Sequence, residues 1–198
     1  MSMIQALLEG DQWLFKVINS SMSNSLFDLL LPWFRERLFW APFYLFIVAF
    51  TLLNTGNRRW LILIGLVVTV GLTDFTSSTI IKKNVHRIRP CNAVALQEDI
   101  HIRVPCGGGF SFTSSHAANH FAVAVFLIVV LGLAGQWHQK AMLGWSGSIA
   151  FSQVYVGVHY PLDVVCGALL GCLMGWFMSK ALLGVFRRSD HFREGLRW

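Results

Sequence analysis

Five long runs of apolar residues, separated by short polar connections, dominate the chain. They cover residues 38–53, 60–81, 116–135, 141–158 and 162–186. A bilayer core about 30 Å thick is crossed by about 20 mostly apolar helical residues, so each run predicts a membrane-spanning helix. The pattern therefore predicts an all-α fold, a polytopic membrane helical bundle.

The first 35 residues follow a different pattern. Apolar residues such as Ile4, Leu7 and Trp13 alternate at roughly helical spacing with polar Asp11 and Lys16. This spacing is typical of amphipathic helices that lie in the membrane interface. We expect one or two interfacial helices there. A sixth, weakly apolar span is the alternative, which gives five to six transmembrane helices in all.

Composition supports the membrane assignment. Of the 198 residues, 55% are hydrophobic and only 13% are charged, whereas about 25% of residues are charged in a soluble domain. Such a chain is neither a soluble globule nor disordered. At this length we expect one membrane domain over residues 1–198, with an interfacial segment at 1–35, a transmembrane core at 36–186 and a basic cytoplasmic tail at 187–198.

The distribution of positive charge changes the picture further. The formal charge is +6, but Lys and Arg flank the apolar runs instead of forming one basic face, which favours membrane anchoring over nucleic-acid binding. If five helices alternate in direction, Arg58, Arg59 and Lys140 lie on the same side as the basic tail. Because Lys and Arg are enriched on the cytoplasmic side of membrane proteins, that side should face the cytoplasm. The opposite, outer side keeps five cations, namely Lys82, Lys83, Arg87, Arg89 and Arg103. Cations on the side that normally lacks them indicate a function beyond membrane topology.

Three polar segments at predicted helix ends lie on this outer side. The first, residues 82–90, begins with Lys82 and ends in Arg89-Pro90. Pro90 stops a helix, and Arg89 offers a planar fork to paired oxygens. Contact with lipid headgroups is the simpler explanation of such a basic helix end.

The second segment, residues 112–120, has hydroxyl residues directly before an apolar helix. Ser114 is a candidate N-cap, and the backbone amides of Ser115 and His116 could hold anionic oxygens at the helix N-terminus. Simple capping without a ligand is the alternative.

The third segment, residues 152–163, joins the fourth and fifth runs. His159 precedes Asp163 by four residues, and Pro161 at the start of the fifth helix puts Asp163 in its first turn. A carboxylate there can fix the tautomer of the imidazole and leave the other nitrogen free to react, as in nucleophilic catalysis. A buried pair without chemistry explains the same spacing equally well.

In combination, the three segments resemble the signature of the type 2 phosphatidic acid phosphatase superfamily, written K-x6-R-P, P-S-G-H and S-R-x5-H-x3-D. The matching residues are Lys82, Arg89, Pro90, Ser114, His116, Ser152, His159 and Asp163. Thr113 and Ser115 stand where the family has Pro and Gly. Gln153 stands where the family has Arg, so one phosphate-binding charge is absent.

The resemblance implies a role for each of these residues. By similarity, His159 would attack phosphorus and form a phosphohistidine, while Asp163 orients its ring. His116 would protonate the departing oxygen and then activate water. The phosphoryl oxygens would be held by Lys82, Arg89, Ser114, Ser115 and Gln153. The resemblance implies neither a metal nor another cofactor.

The resemblance also implies a substrate with its phosphate at the outer membrane surface and its tail between helices. A lipid phosphate or diphosphate fits, with undecaprenyl diphosphate favoured and phosphatidylglycerol phosphate, phosphatidic acid or lipid A phosphates as other candidates. The expected partners are this lipid, water and the bilayer.

No cleavable signal peptide is apparent at the start of the chain. We therefore expect a multi-pass protein of the bacterial plasma (inner) membrane whose site faces the periplasmic side. The alternative function, favoured by Gln153, is a non-catalytic membrane protein that binds or transports phospholipids or other anions on the same scaffold.

Two further features carry expectations. Cys91 and Cys106 both lie in the outer connection between the first two segments. An oxidising compartment would allow a disulfide between them, with two free thiols as the alternative. Asp74 interrupts the second run, and because an acid within a span is paired or functional, we expect it to pair with a neighbouring helix in preference to relaying protons.

Overall fold

The computed structural model describes residues 3–96 and 98–194, with side chains through Ser189. Within these ranges it has no strand, and its α-helices are α1 Met3–Lys16, α2 Ser25–Phe34, α3 Ala41–Asn54, α4 Arg59–Phe75, α5 Lys82–Val85, α6 Ser115–Val130, α7 Trp137–Tyr155 and α8 Pro161–Glu194. The predicted all-α fold is confirmed. The first two residues and the last four of the predicted tail lie outside the described residues, and the division of the chain into three parts stays a prediction.

Three stretches of the described chain are long and apolar enough to cross a bilayer, namely Arg37–Asn54, Gly56–Leu96 and Pro161–Ser189. In the second stretch, α4 is followed without a break by the π-helical segment Thr76–Ile81 and by α5. This continuous helix ends at His86, which adopts a left-handed φ of 54°. Helix α6 has only 16 residues. Helix α7 carries buried polar residues such as Ser152 and Gln153, which lower its hydropathy. The count of five spans therefore stays a prediction.

One predicted boundary is wrong. The third apolar run was expected to be helical to Gly135, but α6 ends at Val130. Gly132 and Gly135 adopt positive φ angles of 67° and 77° and turn the chain before α7. Composition alone did not distinguish these turn glycines from the glycines inside the helices.

Large apolar side chains cover the outside of the bundle, the reverse of a soluble protein. Leu45 on α3, Val67 on α4 and Leu173 on α8 are 69%, 71% and 67% exposed. The hydroxyls of buried Thr51 and Thr73 donate to carbonyl oxygens four residues earlier, at 2.8 and 2.7 Å. An apolar exterior with internally satisfied polar groups is what a lipid solvent requires, which confirms the predicted membrane bundle.

Helices α6 and α8 pack through a stripe of small residues. Gly167, Gly171 and Gly175 recur every four residues along α8. A Cβ atom added to any one of them would come within 3.0 Å of a backbone carbonyl oxygen of α6 or of its N-cap residue. Small residues at this spacing let two membrane helices approach closely. The approach brings the start of α6 beside the start of α8.

Helix α1 buries only Asp11 and Phe15 against the protein and leaves most of its apolar residues exposed. Asp11 is buried, whereas Ile4 and Trp13 are exposed. After α1, the buried side-chain amide of Asn19 donates a 2.8 Å hydrogen bond to the carbonyl oxygen of Tyr155. Exposed apolar side chains suit a helix in contact with lipid, as expected for an interfacial segment.

Gly171→Ala is expected to destabilise the protein by about 1–3 kcal/mol, because the added methyl group meets a backbone carbonyl that moves only if α6 and α8 separate. Thermal unfolding of the purified protein in detergent measures the loss. Gly144→Ala on α7 is the matched control, since a Cβ atom there meets nothing within 4 Å. Equal melting temperatures for the two variants would contradict the packing argument.

Candidate active site

A cavity of about 690 Å³ opens at the end of the bundle where α3, α6 and α8 begin and α7 ends. Six of the predicted site residues line it, namely Lys82, Arg89, Ser115, His116, Gln153 and His159. The other two, Ser114 and Asp163, are fully buried behind its wall. The backbone N–H of Ser114 donates to the carbonyl oxygen of Asp163 at 2.9 Å. The three polar segments of the sequence therefore meet at one place.

His159 lies in the tight turn between α7 and α8. Gly157 forms this turn with a φ of 93°, and the backbone N–H of His159 donates to the carbonyl oxygen of Gln153 at 3.2 Å. On the cavity side, Nη1 of Arg89 lies 3.2 Å from Nε2 of His159. On the other side, Nδ1 lies 3.5 Å from Oδ2 of Asp163. Because a guanidinium only donates, Nε2 must accept, which assigns the ring proton to Nδ1, facing the carboxylate.

The imidazole of His159 is neutral at neutral pH. Burial lowers its pKa to about 4, and this effect exceeds the opposing, raising influence of Asp163. Only 2% of the side chain is exposed. Nε2 therefore carries a lone pair toward the cavity, as a nucleophile requires.

The Asp163 carboxylate is held at both oxygens. Nη1 of Arg87 donates to Oδ1 at 2.7 Å, and the backbone N–H of Tyr160 donates to Oδ2 at 2.9 Å. The same guanidinium donates through Nη2 to Asp11 of α1 at 2.5 Å. The second oxygen of Asp11 accepts from the backbone N–H of Leu162 at 2.8 Å. A buried chain of acid, base and acid thus fixes the carboxylate that faces His159.

The sequence indicated no contact for Asp11, and it offered Arg87 and Lys83 only as outer cations that could compensate for the missing motif arginine at Gln153. Asp11 is one of several polar residues on an amphipathic helix, and nothing in the sequence indicates which segment that helix contacts. Of the other outer cations, Lys83 is exposed and outside the cavity wall. Arg103 forms an ion pair with Asp28 at 2.5 Å, also outside that wall.

Lys82 and Arg89 bring positive charge to the cavity wall without a neutralising acid. Arg89 donates to the carbonyl oxygens of Gly109 and Val158 at 3.3 and 3.2 Å. Within the described part of the chain, no carboxylate forms an ion pair with either cation. Two unneutralised cations beside a neutral histidine form a local positive potential that attracts anions.

The first turn of α6 contributes to the same wall. Ser114 is its N-cap, with an Oγ that accepts a backbone N–H at 3.5 Å, and its function as a direct phosphate ligand stays a prediction. Ser115 and His116 follow on the cavity side. One turn later, His120 shares a 2.8 Å hydrogen bond with the hydroxyl of Tyr44 and donates from Nδ1 to the carbonyl oxygen of His116 at 2.7 Å. The helix N-terminus and a second histidine therefore share the cavity wall with His159.

Gln153 occupies the wall with an unsatisfied amide. The residue is fully buried, and neither Oε1 nor Nε2 of its side chain has a hydrogen-bond partner. A buried amide without partners is costly unless a ligand satisfies it. Its N–H groups can donate to a phosphoryl oxygen, although without the charge of an arginine.

The predicted disulfide is confirmed. Cys91 and Cys106 are bonded, with Cα atoms 5.9 Å apart. The bond joins the turn just after Arg89 to the glycine loop whose carbonyl oxygens, at Gly108 and Gly109, accept from the Arg89 guanidinium. It therefore limits how far this loop can move from the cavity.

The predicted pairing of Asp74 is also confirmed. The side-chain amide of Asn119 on α6 donates to Oδ1 of Asp74 on α4 at 2.9 Å. Both residues line the cavity, so the pair joins two helices next to the site.

These features together define a class of protein. A neutral histidine oriented by a carboxylate, a second histidine, unpaired cations and a helix N-terminus surround one cavity inside a membrane bundle. Such a set can supply a nucleophile, a proton donor and a cradle for phosphoryl oxygens, which are the requirements of a phosphatase that needs no separate nucleophilic cofactor.

Comparison with known proteins identifies the family. Residues 59–185 match the PAP2 superfamily, and the chain belongs to it. The lipid A 4'-phosphatase of Bacteroides thetaiotaomicron is 31% identical over 180 residues, which cover 88% of this chain and 77% of that protein. The undecaprenyl-diphosphatase BcrC of Bacillus subtilis is 24% identical over 186 residues, 91% of this chain and 84% of that protein.

The fold is shared with a solved membrane enzyme. The crystal structure of a transmembrane PAP2-type phosphatidylglycerolphosphate phosphatase from Bacillus subtilis matches with a TM-score of 0.65 at 20% identity, over 97% of this chain and 88% of that chain. The family predicted from the three motifs is confirmed, and with it the class of membrane-embedded phosphatases.

Asp11→Asn is expected to lower kcat for phosphate release from a lipid phosphate about tenfold, which corresponds to a barrier raised by about 1.4 kcal/mol. The physical reason is that Arg87 loses its second acid and holds Asp163 less firmly. KM should stay unchanged, because Asp11 does not line the cavity. Asp28→Asn, which removes an acid from an ion pair outside the cavity wall, is the control and should retain kcat. A wild-type kcat in Asp11→Asn would exclude the positioning function.

Proposed function

We propose that this protein hydrolyses the phosphate of a membrane lipid phosphate or diphosphate through a phosphohistidine on His159. The protonation state of His159 carries the proposal. Its Nδ1 proton faces Asp163 and its Nε2 lone pair faces the cavity, where Arg89 is the nearest donor. A histidine with a structural function alone has no need of an unprotonated nitrogen beside unpaired cations.

The reaction would proceed in two steps. In the free enzyme, Arg89 donates to Nε2 of His159. A phosphoryl group would draw the guanidinium to its own oxygens and free Nε2 to attack phosphorus as the bond to the leaving oxygen breaks. Protonated His116 would give its proton to that oxygen, and Asp163 would balance the charge of the phosphohistidine. Neutral His116 would then take a proton from the water that attacks the phosphohistidine and releases inorganic phosphate.

The shape of the cavity supports a lipid substrate. Beyond the polar end, the cavity runs between α3 and α4, with apolar walls that include Ile47, Val48, Leu66, Val67 and Val70. Val67 is also exposed on the outside of the bundle. The tail of a bound lipid would therefore leave the protein sideways, between these two helices, while its phosphate reaches His159.

The relatives suggest two substrates. The Bacteroides thetaiotaomicron relative, at 31% identity, is a lipid A 4'-phosphatase, and the Bacillus subtilis relative, at 24%, is an undecaprenyl-diphosphatase. We propose a lipid A phosphate monoester as the first substrate to test and undecaprenyl diphosphate as the second.

Two observations support a bacterial plasma membrane with the site on the periplasmic side. The end of the bundle opposite the cavity carries Arg58, Arg59 and Lys140, as the cytoplasmic side of an inner-membrane protein normally does. The Cys91–Cys106 disulfide lies at the cavity end, and disulfides persist in oxidising compartments such as the periplasm.

The test is phosphate release by the protein purified in detergent, with lipid A, undecaprenyl diphosphate, phosphatidylglycerol phosphate and phosphatidic acid as substrates and EDTA present. We expect release that survives EDTA and that His159→Ala abolishes. Acid-quenched wild-type enzyme should carry phosphate on His159. Folded protein that binds phosphate but releases none from any of these lipids would favour the non-catalytic alternative.

Val67→Trp should raise KM for a long-chain lipid phosphate about tenfold, since steric exclusion from an apolar pocket discriminates by about 1–3 kcal/mol. A water-soluble phosphate monoester without a tail should be hydrolysed at the wild-type rate. Val68→Trp is the matched control, because Val68 is exposed on the same helix but does not line the cavity. Equal effects of the two substitutions would contradict the lateral path for the tail.

A further inference from the structure

The connection between α2 and α3 contributes to the cavity wall two arginines that no motif predicts, the half-buried Arg35 and the exposed Arg37. Arg35 follows the last residue of α2 and lines the cavity together with Lys82, Arg89, His116 and Gln153. It lies outside residues 59–185, which match the superfamily. Its presence in the wall therefore depends on how the N-terminal segment packs.

The position of Arg35 is set from both sides. One turn earlier in α2, Leu31 is buried in a cluster with Tyr155 and Val156, which directly follow Gln153 and Val154 at the end of α7. After α2, the indole N–H of Trp40 donates to the carbonyl oxygen of Phe34 at 2.7 Å. Arg35 is thereby held beside the end of α7 that carries Gln153.

The guanidinium of Arg35 forms no ion pair with a described carboxylate, although Glu36 attracts it electrostatically. Its Nε is buried without a hydrogen-bond partner. The neighbouring Glu36 is exposed, and among the described side chains no carboxylate forms an ion pair with Arg35. Arg35 also lies within electrostatic range of Arg89 and His116. Like charges brought together at a poorly solvated wall repel unless an anion lies between them.

The structural arginines of this chain behave differently. Arg87 contacts Asp11 and Asp163, and Arg103 contacts Asp28. Each holds segments of the protein together by neutralising acids. Arg35, like Arg89, has its charge free for a ligand.

At position 153, by contrast, an arginine expected from the motif is absent from the wall. The superfamily motif has an arginine there, and this chain has a glutamine whose amide is buried and unpartnered in the same wall. The cavity wall thus lacks the guanidinium that the superfamily motif places on α7. It contains guanidinium groups from the connection after α2 instead.

We propose that Arg35 supplies the guanidinium that binds the phosphoryl group in place of the motif arginine that Gln153 replaces. Arg35 and Arg89 would then grip the phosphoryl oxygens from two sides, and the Gln153 amide would donate one neutral hydrogen bond. The catalytic consequence rests on the proposed phosphatase function, whereas phosphate binding by Arg35 does not.

The first test compares kcat/KM for phosphate release by wild type, Arg35→Gln, Arg35→Lys and Arg59→Gln. Arg35→Gln should lose about 10- to 100-fold, the range of one charge-assisted hydrogen-bonded contact, and Arg35→Lys should retain part of the activity. Arg59→Gln makes the same change at the exposed start of α4, opposite the cavity, and should behave as wild type.

The decisive variant restores the motif arginine. Gln153→Arg should recover at least tenfold in the Arg35→Gln background but change kcat/KM much less in the wild-type background, because both arginines would serve the same oxygens. Equal effects of Gln153→Arg in the two backgrounds, or wild-type activity in Arg35→Gln, would overturn the proposal.

A binding measurement separates this proposal from the proposed function. In a His159→Ala background, which cannot turn over, inorganic phosphate binding is titrated with and without Arg35→Gln. The proposal expects Kd to rise at least tenfold on loss of Arg35, even if the protein hydrolyses no lipid. An unchanged Kd in folded protein would reject Arg35 as a phosphate ligand whatever the outcome of the lipid panel.

Discussion

The site depends on one buried carboxylate that must be neutralised away from water. Asp163 meets this requirement with Arg87, with the N–H of Tyr160 and with the imidazole of His159, and its own carbonyl oxygen accepts from Ser114. These contacts come from three other parts of the chain, so Asp163 both faces His159 and ties the helices together. A buried charge without partners is strongly unfavourable. A shift of the helices around the site would therefore disturb the partners of Asp163 and the orientation of His159 together.

The cations around the cavity fall into two physical groups. Arg87 and Arg103 form ion pairs with acids and stabilise the fold. Lys82 and Arg89, joined by Arg35 and Arg37 from the N-terminal connection, line the cavity and form no ion pair with a described acid. The same residue type thus serves packing in one position and ligand binding in another, and the difference is visible only in the partners. A count of outer cations indicated a function beyond membrane topology but did not separate these two groups.

The spans and the three polar segments could be predicted from the sequence because each depends on local information. Apolar length indicates α3, α4 and α8, and motif spacing indicates Lys82, Arg89, His116 and His159. Contacts made by the N-terminal segment could not be predicted, since the apolar spacing of α1 and α2 does not encode their packing partners. Asp11 and Arg35 were missed for that reason. The end of α6 was misplaced because glycine has two uses in this chain, close helix packing at Gly171 and a turn at Gly132.

The hydrogen bond between Asp11 and the backbone of Leu162 has a consequence for biosynthesis. It joins residues 151 positions apart, so the first helix meets its partner only after the ribosome has completed nearly the whole chain. Until α8 enters the membrane, Asp11 and Arg87 have only each other, and His159 lacks the carboxylate that orients it. Such distant contacts form late in folding. The nascent protein therefore carries no assembled phosphatase centre until its last membrane helix is inserted, and a chain interrupted before that point stays catalytically silent.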